Sequence, residues 1–121
     1  MDIFPRISVI TPTQNSRLIF SHIMIKNLQN QTYPHECLEW VVVGDENPET
    51  EESFLKVFKQ LPTIRCKYFK CDISNGTGSK RNFAVSCASS KILINLDDDD
   101  FYNKTYIAYS VSQMKEHRVP L

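Results

Sequence analysis

Uninterrupted apolar segments, separated by segments with helical spacing, restrict the fold of this chain more than any other feature. Residues 38–44 contain Trp40-Val41-Val42-Val43 without polar alternation, which is typical of a strand covered on both faces. Further strands are predicted over residues 6–11, 65–70 and 91–96, and helices over residues 16–29, 47–61, 79–89 and 104–117. The order βαβαβαβα predicts an α/β fold, with a mostly parallel sheet flanked by helices, in a single domain over residues 1–121.

Four consecutive aspartates, Asp97 to Asp100, follow directly on the last predicted strand. Unneutralised carboxylates this close repel one another by about 1 kcal/mol per pair even in water, so the cluster calls for a cation. Carboxylate oxygens suit hard ions such as Mg²⁺ or Mn²⁺. In an extended segment Asp97 and Asp99 share a face, so both could point at one ion. The structural alternative is a solvated acidic turn.

Polar residues follow three of the predicted strands, in the segments 11–15, 44–47 and 97–100. In open parallel sheets, ligands bind beyond the carboxyl ends of the strands, near the point where the strand order reverses. These segments therefore predict a site large enough for a nucleotide. Lys80 and Arg81 begin the third helix, where a diphosphate or the aspartate cluster would compensate their charge; the alternative is a solvated basic pair.

Composition excludes several classes of function. Lys plus Arg and Asp plus Glu balance at 14 each, so net charge gives no support for nucleic-acid binding. No apolar run approaches the ~20 residues of a membrane span and the start has no basic leader, so a cytoplasmic location is expected. The four cysteines form no CxxC pair and are predicted to be free thiols. Neither metal-binding histidine spacing nor a hydrolase triad is evident.

Five motifs occur in order along the chain. They are residues 8–15, the Gln31-Thr32-Tyr33-Pro34 turn, residues 39–45, Gly76 with Arg81-Asn82, and residues 96–102. Together they resemble the nucleotide-sugar-binding, Rossmann-like half of family 2 glycosyltransferases with the GT-A fold. The resemblance implies a metal-dependent glycosyltransferase that uses Mn²⁺ or Mg²⁺ and a nucleotide-diphosphate sugar donor, typically a UDP-sugar, with an acceptor that the sequence does not identify.

The resemblance also implies roles for individual residues. Asp45 would accept a hydrogen bond from the base, and Asp97-Asp98-Asp99 corresponds to the family's DxD segment. Asp99 would be the first metal ligand and Asp97 a weaker second, while Asp98 would lie near the ribose. The full set implied in nucleotide-sugar binding is Pro12, Thr13, Asn15, Asp45, Lys80, Arg81, Asp97 and Asp98.

Two positions depart from the family pattern. Gln14 replaces an aromatic residue of the opening motif, and Gly44 replaces the first acid of the usual Asp-Asp pair. No residue matches the family's catalytic base, so the chain is expected to lack the acceptor-binding half. Two alternatives therefore stay open: a non-catalytic nucleotide-sugar-binding or assembly module, with a homo-oligomer as its partner, and a sugar-phosphate nucleotidyltransferase.

Overall fold

The architecture is a four-stranded parallel sheet with helices on both faces. The computed structural model describes residues 4–71 and 76–116, without the side chains of residue 15 and residues 76–78. The strands are β1 (Ile7–Pro12), β2 (Leu38–Gly44), β3 (Arg65–Lys70) and β4 (Ile92–Asn95), and the helices are α1 (Ser21–Gln29), α2 (Pro48–Phe58), α3 (Gly76–Cys87) and α4 (Tyr106–Glu116). The strand order is β3-β2-β1-β4, and all three pairings are parallel. The predicted α/β class is confirmed.

Two apolar clusters hold the helices to the sheet. The larger cluster joins alternate residues of β1 and β2, such as Val9 and Trp40, to buried residues of α1, α2 and α4. The smaller cluster joins Ile10, Val41 and Val43 to Ala84 of α3 on the opposite face. Because successive side chains of a strand point to opposite faces, residues 41–43 must be apolar throughout. This double coverage explains why β2 reads as a continuous apolar run.

Element boundaries differ from the prediction mainly at helix ends. The predicted helix over residues 16–29 is a 3-10 helix, Asn15–Phe20, followed by α1. Short 3-10 segments are common where an α-helix begins. The third helix begins at Gly76 and ends at Cys87, earlier than predicted at both ends, and α4 begins at Tyr106. β2 and β3 have the predicted bounds, and Asn47 caps α2 as expected, by accepting a hydrogen bond from Glu49 N.

Two further sequence predictions concern the chain as a whole. The four cysteines are half-buried and form no disulfide, which agrees with the prediction from their spacing. In the part of the chain that the structure describes, no helix combines the length and hydrophobicity needed to cross a membrane.

Candidate functional site

A polar cavity of about 240 Å³ opens where the strand order reverses. The chain passes from β1 outward to β2 and β3, and then returns to place β4 on the other side of β1, so the reversal lies between β1 and β4. Ligands of open parallel sheets bind at this point. The cavity is lined by Pro12, Thr13, Gln14, Arg17, Lys80, Asp97, Asp98 and Asp99. Six of these eight residues belong to the set predicted from the sequence.

Hydrogen bonds from β1 position the chain just before the aspartates. Leu96 N donates to the Ile10 carbonyl at 3.0 Å, and Thr11 Oγ1 donates to the Leu96 carbonyl at 2.7 Å. Thr11 is itself held by Trp40 Nε1, which donates to Thr11 Oγ1 at 2.9 Å. All these groups are buried, so the bonds are shielded from water. The start of the aspartate run is therefore tied to the centre of the sheet.

Helix α1 holds the other end of the run through Asn27, a buried polar residue. Asn27 Nδ2 donates to the Asp100 carbonyl at 2.6 Å, and Tyr102 N donates to Asn27 Oδ1 at 3.0 Å. The chain then closes on itself, because Asp97 N donates to the Tyr102 hydroxyl at 2.8 Å. Burial raises the pKa of Tyr102, so this hydroxyl stays neutral at physiological pH. Residues 97–99, which line the cavity, are thus anchored on both sides by hydrogen bonds.

Two arginine side chains form ion pairs with three of the four aspartates. Arg17 Nε donates to Asp98 Oδ2 at 2.7 Å, and Arg17 Nη2 donates to Asp99 Oδ2 at 2.8 Å. Arg81 Nη2 donates to Asp97 Oδ1 at 3.1 Å. The sequence suggested that the aspartate cluster was one possible partner of Lys80 and Arg81, and the Arg81 contact agrees with that alternative.

The aspartate run is not extended where the sequence analysis assumed it to be. Strand β4 ends at Asn95, and Asp98 and Asp99 lie in a turn. Arg17 bridges the consecutive residues Asp98 and Asp99 in this turn. Because side chains alternate only along a strand, the pairing of Asp97 with Asp99 as metal ligands rests on the family resemblance alone.

The floor of the cavity is a buried cluster around Thr13. Thr13 Oγ1 donates to Asp98 Oδ2 at 3.0 Å, and Lys80 Nζ donates to the Thr13 carbonyl at 2.6 Å. Lys80 is only 5% exposed. Burial lowers the pKa of its ammonium group, whereas the nearby carboxylates of Asp45 and Asp98 raise it. A buried cation next to two carboxylates gives the floor both polarity and positive charge that a phosphorylated ligand could use.

Asp45 lies at the end of β2, buried, and does not line the cavity itself. Asp45 Oδ1 accepts a hydrogen bond from Asn47 N at 3.1 Å, and the Tyr68 hydroxyl donates to the Asp45 carbonyl at 3.1 Å. Tyr68 also explains the glycine at position 44, since a Cβ atom on Gly44 would lie 2.1 Å from the Tyr68 hydroxyl oxygen. The Tyr68 side chain therefore occupies the space that a side chain at position 44 would need.

Arg17 is the functional candidate that sequence reasoning missed. It lies in the 3-10 helix, 81 residues before Asp98, and no motif links the two positions. Two features of the sequence could have indicated it. The aspartate cluster needs a cation, and Arg17 is a basic residue two positions after the opening motif. Gln14, noted only as a departure, also lines the cavity. The side chain of Asn15 lies outside the described residues, so its predicted role stays a prediction.

Comparisons with known proteins show the family to which the sequence is related. The family described as Glycosyl transferase family 2 matches residues 8–120. The poly(ribitol-phosphate) beta-N-acetylglucosaminyltransferase TarS of Staphylococcus aureus is 26% identical over 112 residues, which cover 93% of this chain and 19% of that protein. An uncharacterized glycosyltransferase of Rickettsia bellii is 30% identical over 112 residues, which cover 93% of this chain and 15% of that protein.

Solved structures share the fold. The crystal structure of S. aureus TarS in complex with UDP matches with a TM-score of 0.78 and 25% identity, covering 93% of this chain and 33% of that one. TarS in complex with UDP-GlcNAc matches with a TM-score of 0.73 and 26% identity. A Pyrobaculum calidifontis mannosyltransferase solved with GDP-Man and Mn²⁺ has a TM-score of 0.79 at 24% identity, a likeness of fold. The chain thus spans about a third of these structures.

Proposed function

The chain belongs to glycosyl transferase family 2, with the GT-A fold, and on that premise we propose that its cavity binds the donor of a sugar transfer, a UDP-sugar. The observation that carries the proposal is the convergence of Thr13, Lys80 and residues 97–99 at the reversal of strand order. Support for uridine comes from TarS, which was solved with UDP and with UDP-GlcNAc.

The roles proposed for individual residues are those that the family resemblance implies. Pro12 and Thr13 form the nucleoside side of the cavity, and Asp45, just beyond its lining, accepts a hydrogen bond from the base. Asp98 is held against Thr13 and is positioned for the ribose hydroxyls. Lys80 and Arg81 supply positive charge for the diphosphate, because charged hydrogen bonds to phosphate are about twice as strong as neutral ones. Asn15 completes the set as the sequence predicts.

A divalent cation, Mn²⁺ or Mg²⁺, is proposed to bind at Asp99, with Asp97 as a second ligand. The donor set fits, since these ions prefer carboxylate oxygens. Within residues 4–71 and 76–116, no group of three His, Cys, Asp or Glu side chains is arranged to hold a metal alone. Diphosphate oxygens would therefore complete the coordination, as is usual for Mg²⁺. When bound, the ion would neutralise the leaving diphosphate.

Calorimetric titration with UDP and UDP-GlcNAc, with and without Mn²⁺, tests the donor site. We expect Asp99→Asn to weaken the Mn²⁺-dependent part of UDP binding by at least about tenfold, because it removes a carboxylate ligand. Asp100→Asn is the matched control, since it removes the same charge from the next residue, whose side chain is exposed. Equal effects of the two variants on UDP binding would refute the metal assignment, and the absence of any UDP binding would refute the donor site.

Transfer of the sugar is a separate step of the proposal. The chain covers 19% of TarS and 15% of the Rickettsia relative, so the activity of those whole proteins is not assumed for it. Incubation with UDP-GlcNAc and analysis for released UDP tests whether the described site suffices for donor cleavage. Donor binding without UDP release would favour the alternative of a nucleotide-sugar-binding module.

A further inference from the structure

The guanidinium group of Arg17 forms ion pairs with two neighbouring carboxylates, one of which, Asp99, is the proposed first ligand of the metal. It joins Asp98 Oδ2 at 2.7 Å to Asp99 Oδ2 at 2.8 Å, and its central carbon lies 5.1 Å from the centre of the Phe20 ring. A guanidinium has five donors in a rigid plane and stays protonated at any physiological pH. Hydrogen bonding to Asp98 raises the pKa of Arg17 further, although burial opposes that rise. The carboxylate pair therefore already carries a cation of its own.

The two ends of this bridge differ in how firmly they are held. The Asp98 side chain is 6% exposed and also accepts a hydrogen bond from Thr13, whereas the Asp99 side chain is 46% exposed. Exposed ion pairs contribute little to stability, whereas buried ones are costly to break. The contact between Arg17 and Asp99 is therefore the one that a competing cation would open first.

We propose that Arg17 is a resident cation that competes with the divalent metal for Asp99, so that the metal binds only when the guanidinium gives up that carboxylate. The proposal deepens the proposed function, on which it rests. A guanidinium and a divalent ion repel each other strongly at contact distance in a partly buried site. Both cannot share Asp99 Oδ2 without that cost.

The released guanidinium would have a new partner within the same cavity. Arg17 and Lys80 both line it, and a bound diphosphate would place negative oxygens between them. Planar guanidinium groups bind phosphate oxygens by paired hydrogen bonds. The donor would thus draw Arg17 away from Asp99 and make room for the metal. Donor and metal binding are then coupled, and the coupling acts equally in both directions.

The test measures binding of Mn²⁺ alone, from the fall in the electron paramagnetic resonance signal of free Mn²⁺ on titration into the full chain. Arg17→Met keeps most of the side chain that packs on Phe20 and removes the charge. We expect it to bind Mn²⁺ about tenfold more tightly than the wild type. Arg17→Lys keeps the charge but not the planar guanidinium that bridges two carboxylates. Its Mn²⁺ affinity should therefore lie between those of the wild type and Arg17→Met.

Arg65→Met is the matched control, because it removes the same charge from an exposed residue at the start of β3, the opposite end of the strand from the cavity. It should change Mn²⁺ affinity less than twofold. Equal or weaker Mn²⁺ binding by Arg17→Met than by the wild type would overturn the proposal, as would an equal gain in Arg65→Met. If Arg17→Met fails to fold by circular dichroism, Arg17→Gln is held to the same expectation.

A second titration separates this inference from the donor site itself. UDP should raise Mn²⁺ affinity of the wild type by a larger factor than that of Arg17→Met, in which Asp99 is already free of the guanidinium. If UDP binds neither protein, the proposed function fails while the result with Mn²⁺ alone still decides the role of Arg17. If UDP binds both and the two factors are equal, the coupling through Arg17 is refuted.

Discussion

Glu39 is a buried charge at the end of the sheet opposite to the cavity, and it makes stability depend on pH. It lies on β2, fully buried, with Ser8 of β1 as its register partner. Ser8 Oγ donates to Glu39 Oε2 at 2.9 Å, and both the backbone nitrogen and the hydroxyl of Ser89 donate to the same oxygen. Lys67 Nζ lies 3.0 Å from Glu39 Oε1 and forms an ion pair with it, although the angles are not those of a hydrogen bond.

The balance of these interactions sets the pKa of Glu39. Burial raises it, but the hydrogen bonds from Ser89, the interaction with Lys67 and the hydrogen bond from Ser8 together lower it, from 4.5 to about 2. A group whose pKa is lower in the folded state stabilises the fold above its unfolded pKa. That stabilisation is lost as the pH falls through the folded pKa. At ~1.4 kcal/mol per pKa unit, the contribution is about 3 kcal/mol at pH 7, of which about 2 kcal/mol is lost by pH 3.

Glu39→Gln removes this titration while keeping the size of the side chain. We expect the free energy of unfolding of the wild type to exceed that of the variant by an amount that shrinks by about 2 kcal/mol between pH 7 and pH 3. Urea unfolding followed by the fluorescence of Trp40, the sole tryptophan and fully buried, measures it. Glu36→Gln, which removes an exposed carboxylate just before β2, is the control. A wild-type advantage that stays constant over this pH range would refute the reasoning.

Two further predictions concern Gly44, at the end of β2, and Lys80, in the floor of the cavity. Gly44→Ala should lower the free energy of unfolding by about 1–3 kcal/mol, because the new Cβ atom meets Tyr68, and urea unfolding should show that combining it with Tyr68→Ala costs less than the sum of the single changes. Additive losses would contradict the steric explanation. Lys80→Met should weaken UDP binding about tenfold by calorimetry, and it should lower the free energy of unfolding by about 1–3 kcal/mol, because the buried Thr13 carbonyl loses the hydrogen bond that it accepts from Lys80. Unchanged UDP affinity would exclude Lys80 from the donor site.

The sequence predicted what depends on local pattern. Strands β2 and β3 have the predicted bounds. An uninterrupted apolar run marks β2, whereas β3 alternates charged residues with Cys66 and Tyr68. The helix after β1 was predicted as one element, since hydrophobic spacing does not distinguish a 3-10 turn from an α-helical one. The predicted family and α/β fold are confirmed by the family match and by the solved structures. They could be predicted because five motifs occur in the family's order.

Contacts set by tertiary structure could not be predicted in the same way. Arg17 reaches Asp98 and Asp99 across 81 and 82 residues, and that meeting depends on how β4 returns beside β1. The glycine at position 44 depends on Tyr68, a residue of the neighbouring strand that no local pattern connects to it. In both cases the contacting residue is distant in sequence. The chain contains other arginines and tyrosines, so the sequence does not indicate which of them makes the contact.

The cavity combines a fixed floor with an exchangeable rim, and this division fits the charges that the proposed ligands bring. Asp98 and Lys80 are buried and held by Thr13, so moving them would leave buried polar groups without partners, at about 1–3 kcal/mol each. Asp97 and Asp99 are exposed to 39% and 46%, and their arginine partners are similarly open to water. Such pairs are worth only about 0–1 kcal/mol, so they can change partners at little cost. A metal bound with a diphosphate would add both signs of charge at once. Asp97 and Asp99 could then exchange ion-pair partners while Thr13, Asp98 and Lys80 keep their buried contacts.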